Sequence, residues 1–402
     1  MTSASTLIQL ISHETMPNVL TALSIAPARI VSITSKNEPF ADRVKRIEDA
    51  IRLAWPRVHP GCAVPEFAEP QETGDAASIE RACATVESLC KAAGPGAVVN
   101  YTGGTKQMGI GAWRAASDMG VPSLYCDTPR GFVTGETAPL PTHLPMAELA
   151  KRLDIELVLA AHGLRQGTDY HITEPTRAAA RLGRAAFDLL KNHPGVLRSF
   201  RWTLRKFCTD GRPAERVRRA MNEPLPADCQ RPELAEFLDA GARCSLLKQR
   251  GGGGDYFVCF PHTQPPLPPH DRLEEVLMRL EGGAFEAYVQ TLLARRTLFT
   301  HSLQGVRPAG FTLDADFGET DFLAYNPQSL SLTLISCKIS PPSLQHLESV
   351  LARRQRLGGR FARAMLCMEG PANREPQREI DRLKLLDITG VFGPDLEKAL
   401  CG

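Results

Sequence analysis

Ala97-Val-Val-Asn-Tyr-Thr-Gly-Gly-Thr-Lys106-Gln-Met-Gly-Ile-Gly-Ala-Trp113 opens as a short apolar run of strand character, breaks at Gly103-Gly104 and resumes in small, helix-compatible residues. The pattern is a strand, a tight glycine turn and a helix N-terminus. The first N–H groups of a helix lack internal partners and carry the positive end of its dipole. Glycines let an anion approach that backbone, and Thr102, Thr105 and Lys106 add hydroxyls and a cation, so the stretch reads as an anion site, for phosphate above others. The alternative is an ordinary strand-to-helix turn with Thr105 as its cap. The spacing is neither that of a Walker loop nor a G-x-G-x-x-G fingerprint.

Upstream, Thr6–Ser12 and Arg29–Ser35 carry the apolar residues of buried parallel strands, with a short helix near Val19–Leu23 between them. Phe40–Leu53 and Ala76–Ala93 read as amphipathic helices, the second with Ile79, Ala82, Val86 and Leu89 on one stripe. A helix over 105–118 and a strand over Val121–Cys126, ending at Asp127-Thr128, follow the glycine turn. Gly131–Pro145 reads as an exit loop, and Met146–Leu164 completes the unit. Strand and helix alternating at this spacing predict a parallel Rossmann-like sheet. Ligands of such sheets bind beyond the carboxyl ends of the strands. Ser12 and Asn18 fall at that edge beside the Thr102–Lys106 turn, unless with His13 they only cap the following helix.

The signature Asn100-Tyr-Thr-Gly-Gly-Thr-Lys-Gln-Met108 resembles the N-x-T-G-G-T-K-x-M motif of CARF domains, the CRISPR-associated Rossmann-like sensors of cyclic oligoadenylates. It is most similar to the subfamily that joins such a sensor to a PD-(D/E)xK nuclease. The resemblance implies a ligand site at Ser12, Asn18, Thr102, Gly103, Gly104, Thr105, Lys106 and Met108. It implies cyclic tetra-adenylate as activator, and a homodimer in which each subunit offers one turn to the two-fold ring.

Composition agrees with this class. A chain of 402 residues suffices for two or three domains. Its hydrophobic fraction of 43% is ordinary for a globular protein, and no apolar run approaches the ~20 residues that span a bilayer. The N-terminus lacks the charged region and cleavage site of a signal peptide. The 11 cysteines are odd in number, scattered and free of C-x-x-C pairs, which favours a reducing cytoplasm over a disulfide framework or structural zinc. Net charge is only +2, so a nucleic-acid preference must come from local clustering.

Such a cluster lies in the middle. Helices are expected around 174–191, 196–207, 212–221 and 232–248. Between Arg177 and Arg219 twelve Lys or Arg face only Asp188, Asp210 and Glu215, with Phe200, Trp202 and Phe207 interleaved. The cations suit nucleic acid or an acidic subunit surface, and the aromatics are expected to turn into the core. Gly251–Gly254 and the Pro-rich stretch 261–269 read as a flexible and a stiff spacer. The expected division is 1–165 sensor, 166–269 basic helical region and 270–402 nuclease-like domain.

In the last third, Asp271–Arg295 is a helix interrupted by Gly282-Gly283, Arg307–Leu313 a short strand, and Glu319–Tyr325 and Ser329–Lys338 two strands joined at Asn326-Pro327. A helix (Leu344–Leu357), a strand (Arg363–Met368) and a helix (Gln377–Leu386) complete it. Metal-dependent phosphodiester cleavage needs oxygen ligands for Mg²⁺ or Mn²⁺ and a cation near the phosphate. Gly282-Gly-Ala-Phe-Glu286, Glu319-Thr-Asp321, Ser336-Cys-Lys338 and the Gly358–Arg363 tail resemble the subfamily's nuclease pieces. The resemblance implies catalytic roles for Glu286, Glu319, Asp321, Ser336 and Lys338, and a metal held by Asp321, Glu286 and the carbonyl of Cys337. Ser336 departs from the pattern by standing where an acid is expected, and a neutral hydroxyl predicts weaker metal binding or a preference for Mn²⁺. The implied protein is an α/β sensor–nuclease that cuts DNA, RNA or both. The alternatives are a ligand-gated nucleic-acid-binding regulator without catalysis, or a nucleotide-metabolising enzyme centred on Thr102–Lys106.

Overall fold

The computed structural model describes residues 5–35, 40–127, 131–134, 138–165, 171–172, 176–193, 195–250, 255–259, 268–306, 309–310, 319–339, 342–358, 361–369 and 376–402. Thr128, the glycine run 251–254 and most of the Pro-rich spacer lie outside them.

Leu7, Ile8 and Leu10 make β1 (Thr6–Leu10) a strand whose five residues are all buried, on both faces. Parallel to it run β2 (Arg29–Thr34), β3 (Glu66–Phe67), β4 (Gln71–Glu72), β5 (Ala97–Asn100) and β6 (Ser123–Asp127), and β7 (Gly131–Thr134) closes the edge antiparallel to β6. The order is β3-β2-β1-β5-β6-β7, with β4 also on β2. The chain winds outward from β1, then returns to wind the other way from β5. That reversal places a crevice beyond the carboxyl ends of β1 and β5. The expected exit loop 131–145 therefore begins as a strand; pairing with β6, a tertiary contact, overrides its glycine- and threonine-rich composition.

Helices α1 (Met16–Ile25) and α2 (Ala41–Val58) cover one face, and α3 (Ile79–Ala93) and α4 (Lys106–Asp118) the other. Both flanking helices α1 and α2 run longer than their sequence patterns. The first face is completed by α5 (Met146–Ala150) and α6 (Ile155–Ala161), whose other side meets the second half of the molecule.

The middle of the chain holds β8 (Leu164–Arg165), β9 (His171–Ile172), α7 (Arg177–Asn192), α8 (Val196–Thr209), α9 (Pro213–Asn222), α10 (Ala235–Arg243), β10 (Leu247–Arg250) and β11 (Asp255–Val258). The last expected helix, 232–248, is cut short. Ser245 takes a positive φ of 57°, and the chain turns into the β10–β11 hairpin. The four helices share a core with α11 (Pro269–Met278). A single π-helical turn, Arg279–Gly283, then joins α11 to α12 (Ala284–Leu293), so the Gly282-Gly283 interruption widens one turn without ending the helix.

The second sheet is β17-β16-β15-β14-β12-β9, built from β12 (His301–Val306), β14 (Thr320–Asn326), β15 (Ser331–Lys338), β16 (Ala362–Met368), β17 (Ile388–Phe392) and the edge strand β9. The hairpin β14–β15 is antiparallel and β15, β16 and β17 are parallel. Of the expected strand 307–313 the described residues show a two-residue β13 (Ala309–Gly310) on β8; β12 and β17 had no clear sequence signal. Helix α13 (Leu344–Gly358) covers one face; α12 and α15 (Leu396–Cys401) cover the other, and α14 (Pro376–Leu385) packs along β17. One apolar cluster runs from Leu7, Val98 and Leu124 of the first sheet through α1, α2 and α6 to Leu323, Leu334 and Leu366 of the second. The Tyr325 hydroxyl donates to the Ala150 carbonyl across it, 3.1 Å away.

Candidate functional site

The glycine turn is shaped by its own side chains. Asn100, buried at the end of β5, accepts from the backbone N–H of Thr102 at 3.0 Å and from its hydroxyl at 2.5 Å, an Asx turn that reverses the chain. Its amide donates to Thr21 of α1 at 3.1 Å. The Thr102 oxygen accepts from Cys126 N–H at 2.7 Å and ties the turn to β6. A Cβ on Gly103 would lie 2.1 Å from the Leu10 carbonyl oxygen, so only glycine lets the turn pass the end of β1; Gly104 follows with φ +74°. Thr105 caps α4 by accepting from Met108 N–H at 3.2 Å, while its hydroxyl donates to Ala76.

Both threonine hydroxyls are thus engaged by the fold, where the sequence reading assigned them to the anion. What remains for a ligand is the exposed Lys106 ammonium and the first N–H groups of α4, those of Lys106 and Gln107, which have no intrahelical acceptor. Asn18 and Met108 are fully buried and act from beneath: Asn18 donates to the Leu10 carbonyl at 2.9 Å, and Met108 packs under Gly104. A cleft of about 550 Å³ opens over the turn, floored by Gly103, Gly104 and Lys106 and walled by Tyr101, Trp113 and Tyr125. Trp113 and Tyr125 are partly exposed there, flat surfaces fit to face a base.

A second cleft of about 420 Å³ lies on the other side of Thr102. Ser12, Glu14 and Asp127 line it from the first sheet, and Ser331, Phe361 and Arg363 from the amino ends of β15 and β16. Strand β15 therefore starts beside the crevice of one sheet and ends, roughly 23 Å away at ~3.3 Å per residue, at Lys338.

At that far end the second cluster assembles. Asp321 Oδ2 accepts from the Ser336 hydroxyl at 3.0 Å and from the Cys337 N–H at 2.6 Å, replacing the ladder bonds that stop at Phe322–Ile335. Ser336 and Lys338 share a face because side chains alternate along a strand; the Cys337 thiol points the other way, into the core beside Cys367. Glu286 reaches the same end from α12. Burial first, then the negative charges of Asp321 and Glu319, push its carboxyl up to about 7, while Lys338 works in the opposite direction. Glu319 is exposed at the start of β14, and Arg353 bonds its carbonyl oxygen. His346, in the first turn of α13, brings Nε2 to 3.3 Å from Ser336 Oγ; burial and the cations Lys338 and Arg353 hold its pKa below the ordinary imidazole value, against the pull of Asp321. Two carboxylates, a lysine and a hydroxyl at one strand end suit phosphodiester chemistry. Among the described residues no three His, Cys, Asp or Glu side chains form a ready-made metal cage.

The flanks of this cluster are held by α8. Buried Arg201 grips Glu369 through both carboxylate oxygens at 2.5 Å and donates to the Glu281 carbonyl at 2.8 Å. Arg205 grips the Glu281 carboxylate at 2.9 and 2.7 Å. Glu369 N–H in turn donates to the Lys338 carbonyl at 3.1 Å, and Glu281 sits in the π turn that leads to Glu286.

The fold is shared end to end with two solved structures. Protein VC1899 from Vibrio cholerae has a TM-score of 0.72 at 14% identity, covering 99% of this chain and 96% of that one. Can2 from Sulfobacillus thermosulfidooxidans, solved in complex with cyclic tetra-adenylate, has a TM-score of 0.69 at 16% identity, with the same coverage of 99% and 96%. No protein-family model and no curated protein matches the sequence. The Rossmann-like sheet followed by a second α/β unit is therefore a fold common to this chain, VC1899 and Can2.

On that common fold, the structure gathers Thr102, Gly103, Gly104, Thr105 and Lys106 at the first cleft, places Ser12 in the second cleft that shares Thr102, and brings Glu286, Glu319, Asp321, Ser336 and Lys338 to one strand end. Sequence reasoning missed His346, Glu281, Glu369 and the aromatic wall of the first cleft. His346 carried a usable signal, a lone histidine in the first turn of the helix that follows β15. The two glutamates carried none, since their partners lie 76 and 168 residues away.

Proposed function

We propose that this chain is a metal-dependent nuclease of type III CRISPR defence, switched on by a cyclic oligoadenylate. The observation that carries the reading is the Asn100–Met108 turn, folded into a helix start at the switch point of a fold shared with Can2, a protein solved in complex with cyclic tetra-adenylate. Lys106 and the start of α4 would hold a ring phosphate, and Trp113, Tyr101 and Tyr125 would face the bases. A ring with two-fold symmetry calls for a second copy of the turn, hence a homodimer. Ligand binding that favours one arrangement of the Ser12–Arg363 cleft would bias β15 and the residues at its far end, a population shift between two states.

The donor set at that end fits a dication: burial first, and the Asp321 charge second, push the Glu286 carboxyl up to about 7, a cost that a bound cation would relieve. Asp321, Glu286 and the Cys337 carbonyl would hold Mn²⁺ or Mg²⁺, which supplies charge stabilisation and an activated water. Lys338 would neutralise the scissile phosphate of DNA or RNA, and His346 would orient the Ser336 hydroxyl. The first 165 residues act as sensor, the last 133 as nuclease, with the basic helices between. The test is cleavage of DNA and RNA panels in Mn²⁺ with each cyclic oligoadenylate. Lys106→Ala should lose activation and keep its thermal midpoint; Asp321→Ala should lose cutting and keep ligand binding. Ligand-dependent cutting by Lys106→Ala would defeat the sensor assignment. Wild-type binding of nucleic acid without any cutting would favour the regulator reading that Ser336 invites.

A further inference from the structure

Helix α8 buries Leu197, Phe200, Leu204 and Cys208 on one side and leaves Arg198, Trp202, Arg205 and Lys206 on the other, spaced so that they form one stripe. Phe200 follows the expectation for aromatics in this region and is fully buried; Trp202 overturns it, at 66% exposed. Lys206 Nζ lies 5.3 Å from the centre of the Trp202 ring. Arg198 and Lys206 form no ion pair among the described residues. The stripe is anchored beside the strand end that carries Lys338: its neighbour Arg201 holds Glu369, Arg205 holds Glu281, and the Arg198 charge reaches Glu369. The surrounding 177–219 segment carries twelve cations against three acids.

Cations alone would serve any acidic partner. A large, exposed indole set among them is matched by a flat base face next to phosphates, and only unpaired strands present base faces. We propose that α8 is a docking strip for single-stranded nucleic acid, with a base stacked on Trp202 and the adjoining phosphates neutralised by Arg198 and Lys206. The proposal rests on the nuclease reading for where the strand leads, but binding to the strip needs no cleavage.

The experiment uses the full-length protein in EDTA, with and without cyclic tetra-adenylate, and follows the anisotropy of labelled oligo-dT, oligo-rU and a duplex of equal length. Trp202→Ala should weaken single-strand binding roughly tenfold and leave duplex binding unchanged. Trp202→Phe should retain most of the affinity, Arg198→Ala should reduce the salt slope by about one, and Lys45→Ala on distant α2 should change nothing. Equal single-strand affinity of wild type and Trp202→Ala in both ligand states overturns the proposal. So does a change in sedimentation mass on Trp202→Ala with oligonucleotide affinity intact, which would mark a protein-binding face instead. Failure of the nuclease reading would appear elsewhere, as absence of cutting in Mn²⁺ by a wild type that still binds the strand.

Discussion

Replacing Glu286 by Gln tests the electrostatics of the strand end directly. The folded chain holds this carboxyl's proton up to about pH 7, whereas the unfolded chain releases it near 4.5. Between those values the unfolded state binds fewer protons, so stability falls as pH rises, by at most about 1.4 kcal/mol per pH unit, and levels off above 7. The ionised side chain therefore costs the fold up to roughly 3 kcal/mol at pH 8. Gln keeps the shape and cannot ionise. Urea unfolding followed by circular dichroism should find Glu286→Gln more stable than wild type at pH 8 by up to that amount, with the gap shrinking below about 1 kcal/mol at pH 5. Mn²⁺ should stabilise the wild type at pH 8 and leave the variant nearly unmoved, and cutting by the variant should be lost. A gap that is independent of pH, or a variant less stable than wild type at pH 8, would refute the reading of Glu286 as a buried carboxyl held up to about 7.

Gly103→Ala forces a methyl group to 2.1 Å from the Leu10 carbonyl; the turn must move, and calorimetric titration should show loss of cyclic-oligoadenylate binding while far-UV dichroism stays native. Ser336→Asp restores an acid beside Asp321, and the Mg²⁺ concentration for half-maximal cutting should drop about tenfold, since ligand charge governs affinity for a hard dication. Arg201→Ala strands Glu369 without its buried partner and should destabilise by about 3–5 kcal/mol, read as a lower unfolding midpoint; Arg205→Ala, on a half-exposed side chain, should cost far less.

Local chemistry made much of this molecule legible in advance. The Thr6–Leu10 run, the Gly103-Gly104 break and the Thr105 cap are decided by neighbours a few residues apart, and each appears where the pattern put it. The β14–β15 hairpin follows from alternation and a turn, and that alone brings Asp321 opposite Ser336. What the sequence could not decide depended on partners far along the chain. Gly131–Thr134 is a strand because β6 offers it an edge, and Trp202 faces out while Phe200 faces in because the π turn and β16 present glutamates to Arg201 and Arg205. The threonine hydroxyls turned inward because Asn100, Cys126 and Ala76, from three separate elements, converge on them. Periodicity and turn chemistry act within one segment; burial and charge pairing are settled only when segments meet.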